Sequence, residues 1–233
     1  MNRYFFVSRL CPVCIILLPL FIVGSPYLIN YKSLIQFLLI GLVLHGFVFF
    51  FAVEDSNFGK RIERKLWINW GWTPISKLLN YNNNLLDTET KDKYHLILLK
   101  CLPTSKKIDF KTGSIYEIDS IYRWWCMYLI KRIPHDNSNI LLNNENIKYG
   151  FKRHLWGYKT LSINLIIVLI IGNILFYSVY KSLDLANFPF KIYITELLLI
   201  VLLFFWVFFV NLDWVKKSAI AYSRELLKIS NTL

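Results

Sequence analysis

An all-α fold, four transmembrane helices carrying a helical cytoplasmic cap, is predicted by three observations. Residues 10–31, 33–53, 160–180 and 192–212 are almost free of charge, the last broken only by Glu196, and each window has the about 17–25 residues a helix needs to cross a bilayer. Hydrophobic residues make up 55% and aromatic residues 17% of the chain, more than a water-soluble domain normally carries. Of the 27 Lys and Arg residues, 24 fall before the first window, between the second and third, or after the fourth, and only Lys32, Lys181 and Lys191 fall elsewhere. That bias predicts that both termini and the middle of the chain face the cytoplasm.

The first window, in a hairpin over residues 1–53, follows Arg3 and Arg9. A cleaved signal peptide ending at Val23-Gly24-Ser25 is the competing reading. Pro26 directly after the cut and a second apolar run from Ser33 favour an uncleaved anchor. Cys11-Pro12-Val13-Cys14 has a CxxC form but sits at the mouth of a span, and Cys101 and Cys126 belong to the reducing side. The four thiols are therefore expected to be small apolar side chains, without disulfides.

Residues 54–159 carry 18 basic and 11 acidic residues and read as short helices. Asp55 opens a helix through Ile68 that Gly71 and Pro74 end. Pro74 starts a short helix, Ile75 to Asn80, that Asn82-Asn83-Asn84 stops. Asp87 and Thr88 open the next, with Tyr94, Ile97, Leu98 and Cys101 on one face before Pro103. Ser114-Ile115-Tyr116-Glu117 has the form of a capping box, and Ile118, Ile121, Tyr122, Trp125 and Leu129 line the helix that follows, until Pro134. A helix from about Glu145 runs into the third span. Residues 160–212 form the second hairpin and 213–233 a cytoplasmic C-terminal helix.

Two stretches stand out: Lys60-Arg61-Ile62-Glu63-Arg64-Lys65-Leu66-Trp67 running to Trp70-Gly71 and Pro74, and Tyr149-Gly150-Phe151-Lys152-Arg153-His154-Leu155-Trp156-Gly157-Tyr158-Lys159. Together they resemble a family of small bacterial inner-membrane proteins in which a basic Ile-Glu-x-x-Leu-Trp helix precedes Trp-Gly and a Tyr-Gly-Phe-basic segment leads into a later span. The chain departs from that pattern at Trp72 and His154. The resemblance brings no catalytic residues with it. Both stretches lie at membrane junctions, where Lys60, Arg61, Arg64, Lys65, Lys152 and Arg153 would meet anionic lipid headgroups. Trp67, Trp70, Trp72, Trp156 and Trp214 would form an aromatic belt beside them. A sharper reading makes the two junctions a paired contact.

Inside the spans, Gln36, His45, Asn164, Asn173 and Glu196 are polar groups in hydrocarbon. They are expected either to hydrogen-bond between helices or, in a homo-oligomer, to line a water path; His45 and Glu196 can also ionise. Asp87, Glu89 and Asp92 cluster on a first helical turn, where acids favour the helix dipole. No phosphate loop, dinucleotide turn, nucleophile elbow or zinc-ligand spacing is present, so neither an enzyme nor a metal or other cofactor is expected. The expected function is a membrane effector of anti-phage defence that oligomerises and perturbs the inner membrane when its cap is triggered. The alternative is an anchor that recruits a cytoplasmic protein, or more weakly a nucleic acid, through its basic cap.

Overall fold

The computed structural model describes residues 3–28, 58–101, 110, 115–132, 139–181 and 189–230, and every regular element among them is helical. The chain divides into two compact units, one of Met1–Lys60 with Gly150–Trp214 and one of Arg61–Tyr149 with Val215–Leu233. Among the described residues, three helical segments are long and apolar enough to cross a membrane: Arg3–Gly24, Ile140–Val179 and Phe190–Phe209. The predicted span at 33–53 lies outside the described residues.

In the first unit, α1 (Arg3–Phe5), a π-helical segment π1 (Phe6–Leu10) and α2 (Cys11–Leu28) follow one another without a break. The described part of this helix starts at Arg3, so Arg3 and Arg9 both lie within it. Pro12 accounts for the widened turn. It has no N–H to offer the carbonyl of Ser8 and its ring crowds that carbonyl, so the helix loosens over the preceding residues. Cys14 faces outward and Cys11 is half-buried, against the expectation of buried thiols.

α7 (Ile140–Lys181) begins about a turn before the predicted Glu145, and α8 (Phe190–Phe204) continues into π2 (Phe205–Phe209). Both are patterned inside out. On α7, Leu161, Val168, Ile171, Leu175 and Val179 are exposed at helical spacing, while Leu155, Ser162, Ile166 and Asn173 are buried. On α8 and π2, Ile194, Leu197, Val201, Phe204 and Phe208 are exposed, while Ile192, Thr195, Leu199 and Trp206 are buried. A helix packed in water would show the opposite distribution of polar groups.

Two glycines let helices of this unit approach closely. A Cβ on Gly150 would come within 3.0 Å of Ser8 Oγ and Cβ, and one on Gly59 would collide with the imidazole of His154. Beside Gly59, Phe58 stacks on Tyr158 with ring centres 4.4 Å apart. π2 ends at Val210, whose φ of −82° and ψ of 87° break the helix. Lys159 on α7 donates from Nζ to the Val207 and Val210 carbonyls at 3.0 and 2.8 Å, satisfying acceptors that the ending helix leaves open.

The second unit begins in a helix over residues 58–70, here called α3, which Gly71 ends in the left-handed conformation at φ 68°. Thr73 then caps α4 (Pro74–Leu79), its hydroxyl accepting from Ser76 N at 3.3 Å, and Pro74 occupies the first turn, where its missing N–H costs nothing. Asp87 caps α5 (Thr88–Cys101) by accepting from Thr90 N at 2.8 Å, which holds its carboxyl below the usual carboxylate range. The buried face of α5 is Lys91, Tyr94, His95 and Leu98. Ser114 of the expected capping box lies outside the described residues. On α6 (Ile115–Arg132), Tyr122, Trp125 and Leu129 are buried and Ile118 and Ile121 pack against them.

α9 (Leu212–Ile229) starts after Asn211, whose side chain accepts from Trp214 N at 2.8 Å. It turns Val215, Ser218, Ala219, Ser223, Leu226 and Leu227 inward at helical spacing. Leu226 and Leu227 join Ile75, Leu78, Leu79, Tyr94, Leu98, Tyr122, Trp125, Leu129 and Leu142 in one core. The C-terminal helix thus belongs to the core of the second unit and is no separate appendage.

Trp125 is completely buried in that core, whereas its neighbour Trp124 is 37% exposed. Trp125→Ala is expected to destabilise the unit by about 3–5 kcal/mol and Trp124→Ala by about 1 kcal/mol, read from chemical unfolding followed by circular dichroism. Equal losses would contradict this packing.

Candidate functional site

Among the described polar residues of the spans, Asn173 and Glu196 meet. Asn173 on α7 donates from Nδ2 to Glu196 Oε1 on α8 at 2.6 Å. Glu196 Oε2 is buried with no hydrogen-bond partner among the described residues. Next to the pair, Val23, Val168, Leu169, Gly172, Asn173 and Phe176 line a cavity of about 430 Å³. Asn164 is exposed on α7 and does not join them, while Gln36 and His45 lie outside the described residues.

The basic junction residues sit at the surface. Lys60, Arg61, Arg64 and Lys65 are all exposed on α3, on the face opposite the buried Ile62 and Leu66. Trp67 and Trp70 are half-buried, and Trp70 stacks on Trp72 at 5.5 Å. In the first unit, Lys152 holds its ammonium 4.9 Å above the ring of Trp214. Arg153 and Trp156 are half-buried there, the indole packed against the core of Ile16, Leu155, Ile166 and Leu199. In the second unit, Tyr149 donates to Glu63 Oε1 at 2.9 Å. Residues of both basic stretches therefore touch one another.

A second site was not singled out by the sequence. In the second unit, called the helical unit below, Gly71, Trp72, Ser76, Lys77, Tyr81, Asn82, Asp119, Tyr122 and Arg123 are among the residues lining a cleft of about 340 Å³. Tyr81, Phe110 and Tyr122 of its lining belong to a stack of rings with the buried His95 behind them. His95 lies 5.1 Å from Tyr81 and 4.4 Å from Phe110, and Phe110 lies 5.8 Å from Tyr122.

A directed hydrogen-bond chain runs through the stack. Tyr81 gives its proton to Asp92 Oδ1, so its oxygen accepts from His95 Nδ1–H at 2.9 Å, and His95 Nε2 is left to accept from the Tyr122 hydroxyl at 2.7 Å. This order requires a neutral imidazole. Burial supplies one by pushing His95 down to about 4, against the weaker upward pull of Asp92. Burial also raises the phenol of Tyr122, which keeps it a donor.

At the rim of the cleft, Asp119 is fully engaged. Its Oδ1 accepts from Ser76, and its Oδ2 accepts from Arg123 Nη2 and, at 2.8 Å, from Arg123 Nε. Lys77 lies 5.4 Å from the Trp72 ring centre and Lys216 lies 5.3 Å from it. The cleft draws on α4, α6, the turns on either side of α4 and Phe110, so no fixed spacing announces it. The one available signal was the placement of Lys91 and His95 on the otherwise apolar face of α5.

Comparison with known proteins finds no matching protein family, curated protein or solved structure.

A double-mutant cycle of Asn173→Leu and Glu196→Leu is expected to give a coupling of about 0.6 kcal/mol, and at most about 1.7 kcal/mol, typical of hydrogen bonds between helices in lipid. Steric-trap unfolding in bicelles would measure it, and a value near zero would remove the pair. His95 sets a pH dependence. Above pH 6.5 folded and unfolded chains both hold it neutral. As pH falls toward 4 the unfolded chain takes up the proton first, so stability falls, by roughly 2 kcal/mol after allowance for solvent screening. His95→Gln should flatten that slope in chemical unfolding between about pH 7 and pH 5.

Proposed function

We propose that the chain is a multi-pass protein of the bacterial inner membrane, crossing it four times with both termini and the helical unit in the cytoplasm. It acts as an oligomeric effector: the helical unit receives a signal and the spans then perturb the bilayer. Phage defence is the setting we propose, by analogy with other Asn-, Ile- and Lys-rich membrane proteins of defence loci.

The observation that carries this reading is the Asn173–Glu196 pair, held inside a unit whose outer face is Val, Leu, Ile and Phe. An acidic side chain within hydrocarbon is costly, so a retained one needs compensation. Asn173 supplies one hydrogen bond, and water between copies of the chain would supply the rest.

Induced expression with a potential-sensitive dye tests the reading. Wild type is expected to depolarise the membrane and Glu196→Leu, present at the same level, to leave it polarised. An intact potential during growth arrest by the wild type would overturn the proposal.

The exposed row Lys60, Arg61, Arg64 and Lys65 favours a second reading, an anchor that gathers a cytoplasmic partner. A stoichiometric protein retained by the wild type and lost on reversing these four charges would support it. Retention of a nucleic acid should weaken steeply with salt.

A further inference from the structure

The cleft of the helical unit has features that neither the fold nor the membrane reading uses. Rings of Trp72, Tyr81, Phe110 and Tyr122 line it. The one carboxylate on its walls, Asp119, is neutralised by Arg123 and bonded to Ser76. Lys77, on the wall, and Lys216, against Trp72, have no acidic partner among the described residues. The site is therefore aromatic in its walls and positive in its balance.

Asn80 and Asn82 add polar edges. The Asn80 side-chain oxygen accepts from Asn82 N at 2.8 Å, which leaves its amide N–H₂ and the exposed side chain of Asn82 available to an incoming group. At about 340 Å³ the cleft lies at the small end of the ligand-site range, which starts at about 300 Å³.

A bare phosphate would leave the rings unused, and a lipid headgroup has no planar ring to offer them. A planar heterocycle bearing phosphate uses both features: ring against aromatic wall, charge toward the ammonium groups, ring edges to the asparagines.

We propose that this cleft binds one free mononucleotide, with the base against Trp72 and Tyr81 and the phosphates held by Lys77. The proposal rests on the reading of the helical unit as the signal-receiving part. It gives that signal a chemical class.

Equilibrium dialysis of ATP, GTP, CTP and UTP against the full chain in detergent micelles tests it. At least one nucleotide is expected to bind saturably, one per chain, with affinity reduced about tenfold or more by Lys77→Glu and by Trp72→Ala. Lys131→Glu, an exposed charge reversal outside the cleft, should leave binding unchanged. Trp72 is half-buried and its loss could disturb the fold, so Asn82→Ala, at an exposed turn, provides a second variant expected to weaken binding.

No saturable binding of any of the four, or equal affinity in wild type and Lys77→Glu, overturns the proposal. So does binding displaced equally well by inorganic phosphate, or by anionic vesicles. A single-stranded oligonucleotide that binds more tightly than any mononucleotide would assign the cleft to nucleic acid and overturn it too. Nucleotide binding without depolarisation in cells upholds the cleft and overturns the effector reading. Depolarisation without nucleotide binding does the reverse.

Discussion

The inside-out surface of α7 and α8 is the constraint on which the rest of the first unit depends. In water, exposed rows of Val, Leu, Ile and Phe above buried Ser, Thr and Asn would cost free energy on both counts, apolar area left wet and polar groups left dry. In hydrocarbon the outer rows cost nothing and the inner polar groups gain by pairing with one another. Asn173 with Glu196 is that pairing in its strongest form, a charge-capable acceptor bonded across two helices.

The same solvent logic explains the helix ends. Backbone carbonyls released at a break need donors, and where π2 stops it is a side chain, Lys159, that donates to two of them. Pro12 leaves a comparable gap in the first helix, which the chain absorbs by widening π1. The second unit follows the rules of proteins in water: caps at Thr73 and Asp87, a positive-φ glycine at the end of α3, and a continuous core of Leu, Ile, Tyr and Trp.

How much of this could be read from the residues depended on whether the signal was local. Helix ends marked by Gly71, Pro74 and Asp87 were legible to within a residue or two, because a cap or a breaker acts on its own turn. The stripe of Tyr122, Trp125 and Leu129 was legible because helical periodicity repeats within one element. Asn173 and Glu196 were each recognised as costly in hydrocarbon, but their bond depends on how α7 and α8 pack, which no window of sequence encodes. The cleft was invisible for the same reason. Ser76, Tyr81, Asp119 and Arg123 carry no shared signal until α4, the turn after it and α6 come together.

The central claim is that lipid, and no other phase, covers the outer faces of α7 and α8. Single cysteines at Val168, Leu175, Val201 and Ile166, placed in a chain whose four native cysteines are replaced by serine, can carry a fluorophore in vesicles of brominated lipid. Bromine should quench the probes at Val168, Leu175 and Val201 strongly and the buried Ile166 position weakly. Quenching of the three outward positions by aqueous iodide, with none from the brominated chains, would contradict the account.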